Sequence, residues 1–311
     1  MLRLGTVETR DFRGYGGKPP SVRWPGDARV AVSVVVNLEE GAELAVSQGD
    51  DRNERIYDIV EEVIGAPDLC MESHFEYGTR AGWWRIMEVL DDYGISATMN
   101  ACGRAIELSP WLAREAVSLK HEMSCHGLRW ERHAKMTEAE ERAAILRSVR
   151  AIERACGERP VGFHTRSSAS SRTRRLLVEE GGFLYDSNAY NDDLPYVTEL
   201  LGRSHVVLPY AFDTNDMRFQ NGGGFVFGED FARYCVAAFD RLWEEGGSAP
   251  RMMTLGLHLR IIGRPGRIGG LIAFLDHVRR KGGAWFARRD RIAQHWRAAI
   301  GLPEWRQAAS E

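Results

Sequence analysis

The chain has 311 residues, of which 44% are hydrophobic and 27% are charged, and this balance is typical of a globular protein with a large core. Its net charge of −3 provides no basic surface, so neither nucleic acid nor a membrane is expected as a partner. Five cysteines occur without a CxxC pair, and the amino terminus lacks the apolar segment of a signal peptide. No apolar run is long enough to span a membrane, and together these features predict a cytoplasmic protein.

The chain begins with an irregular arm, which a buried strand follows. Residues 1–29 are rich in glycine, proline and arginine, and we expect Tyr15 and Trp24 to anchor this arm to the body. Residues 31–36 form an almost unbroken apolar run, typical of a strand buried on both faces of a parallel sheet. Residues 42–80 then predict a long covering loop that contains a short helix over 55–64.

Strands and helices alternate over the rest of the chain. Further strands are predicted over 95–101, 122–125, 161–165, 206–208 and 252–259, and from 285 onward. Helices are predicted over 81–93, from 110, between the capping box at Thr137 and Gly157, and over 173–180, 231–245, 268–281 and 291–300. This alternation without a break predicts an α/β protein with a closed or nearly closed parallel β/α barrel.

Titratable side chains stand where three of the predicted strands end. Glu39 and Glu40 follow the first strand, His126 follows a later one, and His258 with Arg260 ends another. Because the carboxyl ends of parallel strands open on one mouth, we expect these groups to share a site. A carboxylate and imidazoles can supply the base and the acid that amide hydrolysis needs. The chain has no GxSxG, Walker or dinucleotide motif that would indicate another chemistry.

Five motifs occur in a fixed order along the chain. They are Asn37-Leu38-Glu39-Glu40-Gly41, Glu76-Tyr77-Gly78, Ser124-Cys125-His126-Gly127-Leu128-Arg129-Trp130, Asn191-Asp192-Asp193-Leu194-Pro195-Tyr196 and Gly256-Leu257-His258. Together they resemble the polysaccharide deacetylase (NodB-homology) superfamily and, within it, the cofactor-independent allantoinase-like branch. The resemblance implies a distorted (β/α) barrel of the NodB type over residues 30–300, between the arm 1–29 and a tail 301–311. It also implies an enzyme that hydrolyses carbon–nitrogen amide bonds other than peptide bonds.

The resemblance also assigns catalytic roles by position. Glu39 stands where the deacetylases have an aspartate that acts as general base, and His258 stands where they have the general acid. Glu40 matches their metal-binding aspartate, and His126 matches the first histidine of their metal-binding HxxxH pair. The second histidine of that pair is replaced by Trp130.

The Trp130 replacement predicts that no metal cofactor is needed. Catalytic zinc usually has three protein ligands, and an indole cannot be one of them. Glu40 and His126 would be the ligands if zinc or another divalent metal were bound, and His133 or His164 could then supply the third. Without a metal, the oxyanion needs other donors, and the candidates are protonated His126, Arg129, Arg166 and Arg260.

The substrate site is expected to combine these charged groups with aromatic walls. Repulsion between Glu39 and Glu40 would raise one carboxyl pKa toward the range useful to a base, provided that the chain bends at Gly41 so that both face the site. The candidates for walls around a flat ring are Trp84, Trp130, Phe163 and Tyr196, and the alternative for each is a place in the core. The substrate-binding set is thus Glu40, Arg129, Trp130, Arg166, Tyr196 and Arg260, beside the catalytic Glu39, His126 and His258.

Three functions remain open at this point. The first is a metal-independent hydrolase that opens a small cyclic amide, ureide or imide such as allantoin. The second is a zinc-dependent deacetylase of N-acetylated sugars or polysaccharide, and the third is a non-catalytic barrel that binds a ligand. In each case a homo-oligomer is expected.

Overall fold

The first strand, β1 (Val30–Leu38), is the centre of the fold in a computed structural model that describes residues 10–55, 61–166, 168–220, 222 and 224–307. All nine of its residues are buried, which agrees with its continuous β-branched sequence. One edge of β1 pairs in parallel with β8 (Arg251–His258) along almost its whole length. Its other edge pairs with β9 (Ala284–Phe286) at its start and with β2 (Thr98–Ala101) at its end.

The strands form one curled sheet in the order β6-β7-β5-β4-β3-β2-β1-β8, with β9 beside β1. The remaining strands are β3 (Glu122–Cys125), β4 (Gly162–Phe163), β5 (Tyr185–Asp186), β6 (Tyr196–Leu200) and β7 (Arg203–Val207). All pairs are parallel except β6 with β7, so the carboxyl ends of most strands meet at one mouth. An isolated parallel bridge, Asn215 to Gly256, links the chain after β7 to β8. The predicted distorted barrel is confirmed, in the form of a curled half-barrel sheet.

Helices cover the outside of the sheet. They are α1 (Leu69–Tyr77), α2 (Trp83–Asp92), α3 (Gly103–Leu108), α4 (Pro110–Ser118), α5 (Glu138–Cys156), α6 (Thr173–Glu180), α7 (Gly228–Glu245), α8 (Pro265–Lys281) and α9 (Arg289–Ala299). The predicted capping box is present, since the Thr137 hydroxyl accepts from the Glu140 backbone and the Glu140 carboxylate accepts from the Thr137 backbone. Among the described helices, none combines the length and the apolar sequence needed to cross a membrane.

The segment between β1 and α2 differs most from the sequence prediction. Residues 56–60 of the helix predicted over 55–64 lie outside the described residues, and 55 and 61–64 are not helical. Helix α1 was missed because only Met71 and Phe75 give it a buried face. A π-helical turn, Gly78–Gly82, joins α1 to α2 and packs against the mouth of the barrel.

The amino-terminal arm lies against the body through two aromatic side chains. The Tyr15 hydroxyl donates to the carbonyl oxygen of Pro195, and the Trp24 indole donates to that of Arg251. Trp24 also packs among Trp285 and Trp296, near the start of β1 and thus at the opposite end of this strand from Glu39.

Candidate active site

Glu39 lies at the centre of the barrel mouth, directly after β1. This residue is only 2% exposed. One carboxylate oxygen, Oε1, lies 3.3 Å from Nε2 of His126. The other, Oε2, lies 3.0 Å from Nη1 of Arg260 and 3.7 Å from Nε2 of His258. Three side chains with positive or polar nitrogen atoms therefore surround one buried carboxylate.

Glu39 and Glu40 both face this centre because β1 ends at Leu38. Beyond the strand the chain turns, with Gly41 at φ +93° and the Ala42 amide donating to the Glu39 carbonyl oxygen. Glu40 Oε2 accepts from the Glu39 backbone amide at 3.0 Å. Its Oε1 has no hydrogen-bond partner among the described residues and lies 3.6 Å from Nη1 of Arg260.

His258, the last residue of β8, is held by Asp216. Its Nδ1 lies 2.6 Å from Oδ1 of Asp216, and its backbone amide donates to Oδ2 at 2.7 Å. This fixes Nδ1 as the protonated nitrogen and turns Nε2 toward Glu39. Sequence reasoning missed Asp216, which lies in a short helical turn after β7 with no strand or motif signal around it.

His126 is oriented by the end of the neighbouring strand β4. Its Nδ1 lies 2.7 Å from the carbonyl oxygen of His164, which can only accept, so Nδ1 carries a proton and Nε2 faces Glu39. The His164 ring packs beside that of His126 and on Tyr210. Its Nε2 lies 3.0 Å from the hydroxyl of Tyr190, and its Nδ1 lies 3.3 Å from Asn100.

Arg260 places a permanent cation between the two carboxyl groups. Besides its contacts with Glu39 and Glu40, its guanidinium group lies 4.7 Å from the ring centre of Phe75 and 5.2 Å from that of Trp130. Carboxylates and aromatic faces both stabilise a buried guanidinium. Of the three candidate arginines, Arg260 is the one in contact with the Glu39 carboxylate.

The two adjacent carboxyl groups differ in proton affinity. Burial favours the neutral form of Glu39, but the charges of His258 and Arg260 and the hydrogen bond from His126 hold its pKa well below the usual value. Burial raises the pKa of Glu40, against the Arg260 charge and with the help of the Glu39 charge. One carboxyl pKa is therefore raised, but it is that of Glu40 and not of the residue assigned as base.

The pKa of His258 is shifted in the direction opposite to that expected for a buried histidine. Burial alone would lower its pKa, but the charges of Asp216 and Glu39 outweigh burial and raise it. The group that faces Glu39 through Nε2 is thus favoured in its imidazolium form, which can donate a proton.

The side chains do not form a deacetylase-type metal site. Glu40 and His126 are present, but Trp130 occupies the place of the third ligand and packs in an apolar cluster with Phe75. The two possible replacements are engaged elsewhere: His133 Nδ1 contacts Glu141, and both ring nitrogens of His164 have partners. Across the described part of the chain, no group of three His, Cys, Asp or Glu side chains is placed to hold a metal ion. The donor set does not fit the metal that the family pattern implies.

The other residues named from sequence lie in different places. Arg129 is bound to Asp50 and to the Glu43 carbonyl oxygen, and Arg166 stacks on Trp130. Tyr196 begins the edge strand β6, where its hydroxyl contacts Asn191. Trp84 and Phe163 do not line this site, and for Phe163 the alternative of a core position holds. Trp84 is 53% exposed and stacks on Trp111, while Phe163 is fully buried in the core.

An aromatic pair connects the buried site to the surface. Tyr190 and Phe212 stack with their ring centres 3.9 Å apart, and both are exposed in part. The Tyr190 hydroxyl contacts His164, which in turn packs on His126. No periodic pattern marked either aromatic residue, because both lie in irregular loops.

Comparisons with known proteins agree with this fold. A polysaccharide deacetylase family model matches residues 66–185. A putative polysaccharide deacetylase of Schizosaccharomyces pombe is 36% identical, over 94% of this chain and 98% of that protein.

Two solved structures are similar over nearly the whole chain. One is PuuE allantoinase and the other is a probable polysaccharide deacetylase from Pseudomonas aeruginosa PAO1. Each is 42% identical with a TM-score of 0.90, and covers 94% of this chain and 99% of the other.

These comparisons confirm the prediction of an enzyme that hydrolyses carbon–nitrogen amide bonds. They leave its substrate and its metal dependence open. The chain belongs to the polysaccharide deacetylase family.

Proposed function

We propose that this enzyme opens the ring of a small cyclic amide, ureide or imide, with side chains moving the protons. The observation that carries the proposal is the buried Glu39 carboxylate, which contacts His126, His258 and Arg260. An allantoinase of the same fold among the similar structures supports a cyclic ureide as one member of the substrate class.

In the first step, Glu39 takes a proton from water as the water oxygen attacks the carbonyl carbon. Its pKa is low while Arg260 donates to Oε2. A substrate carbonyl oxygen that accepts a hydrogen bond from Arg260 would weaken this interaction, and the proton affinity of Glu39 would rise at the moment when a base is needed. Arg260 would then stabilise the negative charge on the tetrahedral oxygen.

In the second step, the carbon–nitrogen bond breaks as His258 gives the Nε2 proton to the departing nitrogen. Asp216 holds the proton on Nδ1 and stabilises the imidazolium before transfer. The Glu39 proton can return to Nε2 over the 3.7 Å that separates the two groups. The sum of the steps is the addition of one water molecule across the amide bond.

His126 would position Glu39 and donate to the tetrahedral oxygen or to substrate. Its Nδ1 is committed to the His164 carbonyl oxygen, so only Nε2 can serve the reaction. Trp130, which replaces a metal-binding histidine, would support Arg260 through its ring. In this scheme a fixed guanidinium does the electrostatic work that a metal ion does in the deacetylases.

The proposal is tested with a panel of allantoin, hydantoin, succinimide and N-acetylglucosamine and the purified full chain. Ring opening of at least one cyclic compound is expected, and Glu39→Gln should lower kcat by about 10²- to 10⁴-fold, the usual contribution of a general base. Glu43→Gln is the matched control because Glu43 is also buried and lies nearby in the sequence. Within the described residues, the hydrogen bond given for its carboxylate comes from the Gly41 backbone amide and not from the catalytic groups. Turnover of N-acetylglucosamine alone would favour the deacetylase, and a Glu39→Gln enzyme with normal kcat would remove Glu39 from the mechanism.

A further inference from the structure

Tyr190 is connected to the catalytic centre through His164. Its hydroxyl oxygen lies 3.0 Å from Nε2 of His164, and the centres of the His164 and His126 rings are 5.2 Å apart. His126 contacts Oε1 of Glu39, whereas Arg260 contacts Oε2. Tyr190 therefore lies beyond His126 on the Oε1 side of the carboxylate, and Arg260 lies on the Oε2 side.

Two buried asparagines fix the direction of the hydrogen bond between His164 and Tyr190. The side-chain amide of Asn37 donates to the Leu257 carbonyl oxygen at 3.1 Å, so its Oδ1 faces Asn100. Asn100 must then present its amide nitrogen, which lies 3.4 Å from that oxygen and 3.3 Å from Nδ1 of His164. Because an amide nitrogen can only donate, Nδ1 of His164 accepts, and the neutral ring carries its proton on Nε2. Nε2 thus donates to the Tyr190 hydroxyl oxygen.

The Tyr190 hydroxyl group is therefore a donor toward a group other than His164. Its oxygen accepts the Nε2 proton, so its own proton points away from the imidazole. Burial raises the pKa of Tyr190 to about 12, and the hydroxyl keeps this proton at neutral pH.

Tyr190 also lies at the mouth and is open in part to a ligand. It is 40% exposed and belongs to the loop that follows β5, which leaves the sheet at the same end as the loops of the catalytic residues. Its ring stacks on Phe212, which lies shortly before Asp216, the residue that holds His258. Tyr190 is thus linked to the supports of both catalytic histidines.

We propose that Tyr190 donates a hydrogen bond to a second carbonyl oxygen of the substrate, while Arg260 binds the carbonyl that reacts. This rests on the proposed function, because the ring must place its amide bond at Glu39. The site would then prefer rings with two carbonyl groups, such as imides and hydantoins, over lactams and cyclic ureas with one. Asn100 would be a positioning residue that acts on Tyr190 through His164.

The test compares pairs of rings that differ by one carbonyl group, succinimide with 2-pyrrolidone and hydantoin with 2-imidazolidinone. Binding to the full-length Glu39→Gln protein is measured by NMR titration, so that turnover does not interfere. The ring with two carbonyl groups should bind about three- to tenfold more tightly, the usual effect of one hydrogen bond. Adding Tyr190→Phe should abolish this preference. Equal affinity within both pairs, or a preference that survives Tyr190→Phe, would overturn the proposal.

Tyr234→Phe is the matched control. Tyr234 is exposed to a similar extent, but it lies on helix α7 and its hydroxyl group contacts Asp213. The same loss of a hydroxyl group there should change the preference by less than about twofold. Circular dichroism checks that each variant is folded.

The tautomer of His164 is read independently from long-range nitrogen–proton correlations in protein with labelled histidine, and its signals are identified by their loss in His164→Gln. We expect the proton on Nε2. A proton on Nδ1 would make Nε2 the acceptor of the Tyr190 proton and would overturn the proposal. Asn100→Ala should admit this second tautomer and weaken the ring preference only when Tyr190 has its hydroxyl group. An equal loss in the Tyr190→Phe background would remove the positioning role of Asn100.

Turnover by the wild-type enzyme separates the two proposals. If rings are opened and Tyr190→Phe leaves KM unchanged, the role of Tyr190 is wrong and ring opening stands. If KM rises about three- to tenfold with little change in kcat, both stand, because the hydrogen bond is made in the ground state and the transition state alike. If the ring preference depends on Tyr190 but no ring is opened, the role of Tyr190 stands and the proposed reaction is wrong.

Discussion

The Asp216–His258 pair gives the sharpest prediction about mechanism. Asp216 is fully buried and accepts from Nδ1 of His258 at 2.6 Å. Asp216→Asn keeps the shape of the side chain but removes its charge. A hydrogen bond to a charged group contributes about 1.5–3 kcal/mol, and about 1.4 kcal/mol corresponds to one pKa unit, so the pKa of His258 should fall by about one to two units.

The direction of the pH effect follows from the proposed role of His258 as the acid. Its pKa is raised in the folded enzyme, so the imidazolium and the activity are present below that pKa and are lost as pH rises through it. In Asp216→Asn the alkaline limb of kcat/KM should therefore move about one to two units toward lower pH. At a pH above the lowered pKa, the Asp216→Asn enzyme should be about ten- to hundredfold slower than the wild-type enzyme. Its rate should recover partly when the pH is lowered.

The assay is the pH dependence of ring opening, measured from about pH 5 to 10 to include the ordinary histidine and lysine ranges. Asp213→Asn is the matched control, because Asp213 lies in the same loop but is exposed and contacts Tyr234 rather than His258. A thermal melt reports any loss of stability, since Asp216 also accepts from the Ile262 backbone. An alkaline limb that stays in place in a folded Asp216→Asn enzyme would refute the role of His258 as the proton donor.

Two further substitutions, at Arg260 and Gly78, test the surroundings of Glu39 and Glu40. Arg260→Lys should lower kcat/KM by about 10²-fold or more. A lysine lacks the planar fork of donors with which Arg260 can contact both carboxyl groups and a carbonyl oxygen. Equal steady-state kinetics of the wild-type and Arg260→Lys enzymes would contradict this role. Gly78→Ala should destabilise the protein by about 1–3 kcal/mol and reduce activity, because its new Cβ would lie 2.3 Å from Oε1 of Glu40. Gly266→Ala in helix α8 is the control, since a Cβ there meets nothing within 4 Å and denaturant unfolding should detect no loss of stability. If both alanine variants behave alike, the close approach of Gly78 to Glu40 does not matter.

The fold class could be predicted from the sequence because the strongest sequence patterns are local. The β-branched run of β1 and the capped amphipathic helix α5 follow directly from residue type and spacing. The π-helical turn Gly78–Gly82 could not be predicted in this way, because it depends on contacts with the distant Leu259 carbonyl oxygen and Glu40.

The site was predictable only in part, and the reason is again where its residues lie. Glu39 and His126 follow strands and His258 is the last residue of one, so the alternation of strands and helices places all three at one mouth. Asp216 and Tyr190 lie in irregular loops and reach the site through tertiary contacts that no spacing reveals. The choice of Arg260 over Arg129 likewise depends on Asp50, which pairs with Arg129 from a separate loop.

The central claim is that Arg260 and the proton-transferring side chains replace a catalytic metal ion. The most direct test is the rate of cyclic amide opening after the protein has been dialysed against a strong chelator, with metal content measured in the same sample. We expect an unchanged kcat in protein that contains no stoichiometric transition metal. A rate that is lost on chelation and restored by zinc would contradict the claim.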